Sequence, residues 1–259
     1  MASNPTNPQE HIAENPFGFD VPPPQHAGSN TPLSLNTADT VWLIVSGIVD
    51  IFAVRIAHGR VVGPRHHLFR ARAGQALFSL DLSHYADEID IIAVGVNNTF
   101  VSTISRQHFD ELIQDEQHQS TALDLLDGWI QGLSYSIEGE VALRQYIPLE
   151  PEQATNVPEG QVTRPRRGVL WTRVQQGIAH FLGRTEFPLF SEDDYIPITA
   201  DTWLQCNQDS VIYALPTQTF VKQSFSWQIL NNFQRMILDC MMWDTLDALE
   251  QDAQRLKYR

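Results

Sequence analysis

Two stretches of this chain, residues 41–54 and 169–183, carry one pattern at long range. The first reads V-W-L-I-V-S-G-I-V-D-I-F-A-V and the second V-L-W-T-R-V-Q-Q-G-I-A-H-F-L-G. Each sets a Trp (Trp42, Trp171) five or six residues before a Gly (Gly47, Gly177), and a Phe (Phe52, Phe181) four or five residues after it. Apolar and β-branched residues fill both arms, and a glycine at the bend supplies the positive φ of a tight turn, so each stretch is read as a β-hairpin. A copy at this distance points to duplicated domains, not to a solenoid, whose repeats recur every 20–50 residues or so.

The flanking segments repeat too. After the first stretch come His67-Leu68-Phe69-Arg70, a turn at Ala73-Gly74, and the strand pattern Ile89–Val94, with Ile92 eighteen residues past Gly74. After the second come Phe187–Phe190, the acidic turn Ser191-Glu192-Asp193-Asp194, and the strand pattern Ser210–Leu215, with Ile212 eighteen residues past Asp194. A helical pattern closes each half. Short strands with regularly spaced turn signals predict an antiparallel sandwich or jelly roll. The expected fold is therefore mainly β with helices: two β-sandwich (jelly-roll) domains, each followed by α-helices, with Trp42 and Trp171 in comparable strands.

Residues 1–32 are proline-rich, including Pro22-Pro23-Pro24, and predict an extended or disordered tail. Ile12, Phe17 and Phe19 could pin it as a strap. The first domain is expected over 33–145. Ser105 is placed to cap a helix with Phe109, Leu112 and Ile113 on one face. A second helix spans about 120–137 with the stripe Leu126, Trp129, Ile130, Leu133, Ile137, and Gly128 and Gly132 there imply close packing. Residues 146–167 have four prolines and no period, and are expected as a linker. The second domain spans 168–259. It ends in a long helix with the stripe Ile229, Phe233, Met236, Ile237, Cys240, Trp243. Leu246, Leu249 and Leu256 extend that helix beyond what one small sandwich covers, so they call for a further packing partner. The absence of a stop signal after Lys257-Tyr258-Arg259 suggests that the natural polypeptide continues.

Charge and motif content exclude several function classes. A net charge of −14 disfavours nucleic acid and anionic membrane, both of which need clustered Lys and Arg. The longest apolar run, Val41–Val54, is too short and too interrupted to span a bilayer. No G-x-x-x-x-G-K-[ST], H-E-x-x-H, C-x-x-C or G-x-S-x-G occurs. The two cysteines, Cys206 and Cys240, read as buried inert thiols. Adjacent His66 and His67 would point to opposite faces of a strand and cannot share one metal, so neither a metal nor a cofactor is expected.

The turn at Gly74 is the one ligand-binding candidate, comprising Gly74, Gln75, Ala76 and Leu77. It resembles the phosphate-binding cassette of cyclic-nucleotide-binding domains, which reads Gly-Glu-hydrophobic-hydrophobic-Gly with a later Arg. That family holds the ribose with the Glu and the cyclic phosphate with the Arg. Here Gln75 stands for the Glu, and Ala86, Asp87 and Glu88 stand where the Arg belongs. Carboxylates repel a phosphate, and the missing guanidinium removes a bidentate pair. The second half, with Asp193-Asp194-Tyr195-Ile196, departs further. Both domains are read as carrying the fold without the nucleotide site.

On the residues Val41-Trp42-Leu43, Ser46-Gly47, Val49-Asp50, Phe52-Ala53-Val54, Arg65–Arg70, Gly74–Phe78, Arg167–Trp171 and Gly177 to Gly183, the chain resembles a transporter region. This is the amino-terminal cytoplasmic region of the permease/ATPase subunit of ABC exporters for bacteriocin-like peptides with nitrile-hydratase-type leaders. The resemblance implies a bacterial, cytoplasmic, non-catalytic accessory region. Its implied partners are the exporter's transmembrane and ATPase domains, a peptide leader, or a second copy as a homodimer, without direct membrane insertion. The competing reading is a small-ligand sensor that binds a nucleotide or other metabolite in a cyclic-nucleotide-type pocket. A cupin enzyme with a divergent metal site is a weaker third.

Overall fold

A computed structural model describes residues 15–28, 30–85, 89–137 and 145–241. The first half runs β1 (Gln25–Ala27), β2 (Leu33–Ser34), β3 (Thr40–Ala57), β4 (Arg60–Arg72), β5 (Ala76–Phe78), β6 (Ile89–Ser105), α1 (Arg106–Gln114) and α2 (Gln119–Tyr135). The second runs β7 (Ile147–Pro148), β8 (Ala154–Val157), β9 (Val162–Arg164), β10 (Val169–Gln176), β11 (Ala179–Phe181), β12 (Pro188–Leu189), β13 (Ile196–Thr199), β14 (Leu204–Cys206), β15 (Ser210–Pro216) and α3 (Thr217–Gln223). A last helix, α4, occupies 227–241. The chain is mainly β, and helices follow the strands of each half, as the sequence predicts.

The two glycine-centred stretches are not hairpins. Residues 40–57 form one continuous strand that passes through Gly47, and the reversal comes at His58-Gly59, both with positive φ (52° and 71°). In the second half β10 ends at Gln176, and past Gly177 the chain resumes as β11 in a different sheet. The positive φ of Gly47 (84°) serves an irregularity in the ladder instead. Ser46 pairs with Phe100 and Ile48 with Val96, so three residues of β6 face one of β3. Thr99 fills the gap: the Ile48 N–H donates to its Oγ1 at 3.1 Å, and that hydroxyl lies 2.8 Å from the Ile48 and Val96 carbonyls. A glycine is needed because any Cβ at 47 would strike Thr99, and any at 177 would strike Ser210 and the Asp209 carbonyl.

Around these points the two halves share one pairing scheme. β3 is flanked along its length by β6, and on its other edge by β5 at 41–43 and β4 at 48–57. β6 in turn carries β1 at 99–101 and β2 at 92–93. In the second half β10 lies between β13 and β15, β15 carries β8, β11 lies between β12 and β14, and β14 carries β9. Thus β10 and β11 correspond to the two ends of β3, and β15 and β14 to the two ends of β6. The difference is that the second half is cut into sheets of four and five strands where the first keeps one of six. Trp42 and Trp171 lie in corresponding strands but one position out of step. Trp42 pairs with Thr103, three residues before Arg106 opens α1, whereas it is Thr172 that pairs with Ala214, three before Thr217 opens α3.

Two further expectations change. Residues 146–167 are not a bare linker, because they supply β7, β8 and β9 to the sheets of the second half. Short strands of two to four residues, with Pro148 and Pro158 at or beside their ends, show no period-two signal long enough to read. The proline-rich start, from Asn15 onward, is a strap: Phe17 and Phe19 are buried and β1 adds an antiparallel strand to β6. Ile12 lies outside the described residues, as do Trp243, Leu246, Leu249 and Leu256.

The helices follow the apolar pattern. The Ser105 hydroxyl accepts from the His108 N–H at 3.1 Å, and Phe109, Leu112 and Ile113 are the buried face of α1. α2 buries Leu126, Trp129, Ile130 and Leu133. A Cβ on Gly132 would come within 2.6 Å of the Phe69 ring, so α2 lies directly on β4 there, while Gly128 has only ordinary space beside Gln75.

α4 joins the halves. Its first residue, Trp227, packs at 6.1 Å from Phe78 and 5.9 Å from Phe109, under the Arg106 guanidinium at 4.8 Å, and donates to Asp110 at 3.0 Å. Ile229, Phe233, Ile237 and Cys240 are buried, in one core that continues through both halves.

Candidate functional site

The turn residues picked from sequence use their polar groups on one another. Gly74 has φ +85° and donates its N–H to the Ile44 carbonyl at 2.9 Å. The Gln75 N–H donates to Arg72 O at 3.0 Å, and its side-chain Oε1 accepts from the Arg72 N–H at 2.7 Å, so the amide braces the turn. Ala76 and Leu77 are buried strand residues of β5. Gly74, Gln75, Ala76 and Leu77 are thus adjacent but present no converging donors. Ala86, Asp87 and Glu88 lie outside the described residues.

A cavity does lie nearby, against the sheet formed by β4, β3 and the start of β6. Ala53, His66, Leu68, Ile89 and Ile91 line it from the sheet, Leu82 and Tyr85 from the turn after β5, and Leu238 and Met241 from α4. Its volume is about 30 Å³, room for a single water and far below the roughly 300–1,000 Å³ of small-molecule sites. None of the four turn residues lines it. The α4 side chains close it, and Tyr85 fastens that closure by donating its hydroxyl to Asp239 and lying 3.4 Å from the Arg235 carbonyl. Burial, with the adjoining Asp239 carboxylate, pushes the Tyr85 phenol far up, so it stays a donor.

A second strongly perturbed group sits elsewhere, in a cleft of about 570 Å³ between α2 and the second half. There Thr217, at the first turn of α3, donates to Asp127 Oδ1 of α2 at 2.6 Å and accepts from the buried Trp171 indole N–H at 3.1 Å. Burial pushes the Asp127 carboxyl up to about 6, helped by the nearby Asp124 charge and opposed by the Thr217 hydrogen bond. Arg167 and Glu116 line the same cleft. Sequence reasoning missed this group, because Asp127 lies on the polar edge of an otherwise apolar helical stripe. The partner that buries it, Thr217, is ninety residues away.

Among the described residues there is no cluster of three or more His, Cys, Asp or Glu side chains able to hold a metal. No helix among them is long and apolar enough to cross a membrane. Cys206 and Cys240 are buried and form no disulfide among the described residues, and burial raises the Cys206 thiol.

Comparison with protein-family models and with curated proteins found no match. Among solved structures the chain is similar to cAMP-bound PfPKA-R, at 11% identity and a TM-score of 0.29 over 90% of this chain and 80% of that one. It is also similar to a CooA mutant from Carboxydothermus hydrogenoformans, at 18% identity and a TM-score of 0.30 over 47% and 78%. A third is the regulatory domain of Toxoplasma gondii PKA with cAMP, at 12% identity and a TM-score of 0.22 over 84% of each chain. At TM-scores this low the likeness carries no argument about ligand or activity.

Proposed function

We propose that this chain is a non-catalytic interaction module made of two tandem copies of one cyclic-nucleotide-binding-like β domain. In this reading it serves a peptide exporter, where it docks leader peptide or the transporter's own domains. The observation that carries the interaction reading is the sheet cavity of about 30 Å³, shut by Leu238 and Met241, while the open clefts lie on the surface. Among the described residues this cavity has room for one water, so it is the surface clefts that offer places for a partner. The shared pairing scheme around Gly47 and Gly177 supports the tandem-copy part. The exporter setting rests on the sequence resemblance alone.

The sensor reading has one observation in its favour. Among the described residues Leu238 and Met241 close the cavity from the α4 side, so withdrawal of that helix would enlarge it. Titration separates the two. The interaction module binds a fluorescent leader peptide of the nitrile-hydratase type and gives no calorimetric signal with cyclic AMP or cyclic GMP. Micromolar or tighter cyclic-nucleotide binding would replace it with the sensor. Binding of neither probe would remove the leader peptide as partner.

A further inference from the structure

In the first half α2 passes the β4–β5 turn with Gly128 in ordinary contact range of Gln75, whose Nε2 would stand 3.7 Å from a Cβ there. In the second half the corresponding helix is α4 and the corresponding turn joins β12 to β13. Gly128 is the tenth residue of α2, and the tenth of α4 is Met236. Met236 lines an open groove of about 490 Å³ between α4 and that turn.

The groove has an apolar floor and an acidic rim. Phe187, Leu189, Tyr195 and Met236 are partly exposed along it, over buried Ile229 and Phe233. Glu186, Asp193, Asp194 and Asp239 also line it, and Arg235 is the one Lys or Arg among the lining residues. Arg173 lies at 5.1 Å over the Tyr195 ring. The rim is preformed: Asp193 Oδ2 accepts the Phe190 N–H at 2.6 Å, and Asp239 accepts the Tyr85 hydroxyl. Phe190 stands 37% exposed on the same turn, which adds apolar surface at the lip.

We propose that this groove docks a short, basic, amphipathic peptide segment, whose apolar side chains seat on Met236, Leu189 and Tyr195 while its Lys or Arg side chains meet the rim carboxylates. Charge complementarity selects the occupant. Four carboxylates over an apolar floor repel an acidic segment and favour a cationic one, and the −14 net charge of the chain steers it inward. The assignment rests on the interaction-module reading and names the place and chemistry of the partner.

The probe is a labelled eighteen-residue Lys/Leu amphipathic peptide, read by fluorescence anisotropy against wild-type protein and two double variants. Glu186→Lys with Asp194→Lys changes two exposed rim carboxylates, and Glu159→Lys with Asp201→Lys makes the same charge change at exposed positions that do not line the groove. The groove variant is expected to weaken binding at least tenfold and the control less than twofold, with matching thermal unfolding for both. Equal weakening by the two variants, or no binding to wild type, overturns the assignment. A leader peptide that binds wild type and the groove variant equally would leave the interaction module standing and remove only this groove.

Discussion

Thr217 donates its hydroxyl hydrogen to Asp127 at 2.6 Å, tying the first turn of α3 to the middle of α2 across ninety residues. The same hydroxyl accepts from Trp171, whose ring stacks on Phe220 at 4.0 Å with the planes 12° apart. A carboxylate placed beside this buried aromatic pair makes the contact between the halves sensitive to protonation.

The folded state raises the Asp127 carboxyl from 3.8 to about 6 and so favours its protonated form. Its contribution to stability is therefore fully present below about 3.8 and is lost as pH rises through 6, beyond which it stays flat. Asp127→Asn, which keeps an acceptor for Thr217, is expected to abolish that slope and to stabilise the protein at pH 7 by about 2 kcal/mol. Urea unfolding of both proteins at pH 4, 5, 6 and 7 measures it, and an unchanged slope in the variant would assign the pH dependence to other carboxyls.

Gly128 and Gly132 lie one helical turn apart on α2 yet should respond to alanine with opposite signs. Gly128→Ala meets its first neighbour at 3.7 Å and gains helix propensity, so it should stabilise by about 0.5–1 kcal/mol. Gly132→Ala drives a methyl into the Phe69 ring and should destabilise by about 1–3 kcal/mol despite the same propensity gain. Denaturant midpoints of the two variants decide, and stabilisation by both would mean that α2 is not pressed on β4.

Gly47→Ala and Gly177→Ala place a side chain at φ +84° and +89° and against the partner strand. Each is expected to cost about 2 kcal/mol or more. Similar losses from the two would match their equivalent roles in the pairing scheme, whereas a neutral Gly177→Ala would break the equivalence.

Tyr85→Phe removes the hydroxyl that holds α4 over the sheet cavity. The expected loss is about 1–3 kcal/mol, as for a hydrogen bond to a charged acceptor. Hydrogen exchange should show faster exchange in α4 than in α2. Unchanged exchange in α4 would show that Trp227 and the buried apolar face of the helix anchor it without Tyr85.

Much of this architecture was written locally. Ser105 followed by Phe109, Leu112 and Ile113 specifies a capped amphipathic helix because a hydroxyl and a 3.6-residue period suffice. The recurrence of Trp, Gly and Phe marked the two stretches that both halves are built around. Local pattern could not say what the glycines do. A positive φ suits a hairpin turn and a bulge equally, and the choice at Gly47 depends on Thr99, fifty-one residues from the Ile48 backbone that it bonds. The same limit hid β7, β8 and β9, whose two to four residues become strands only because partner edges were waiting for them. Gly74 and Gln75 were legible as a turn, but its use of its own polar groups was not. The closed cavity, the raised Asp127 and the acidic groove all arise where α2, α3 and α4 meet distant strands. Burial and electrostatics are properties of neighbours brought together by folding, and only the tertiary structure decides which neighbours those are.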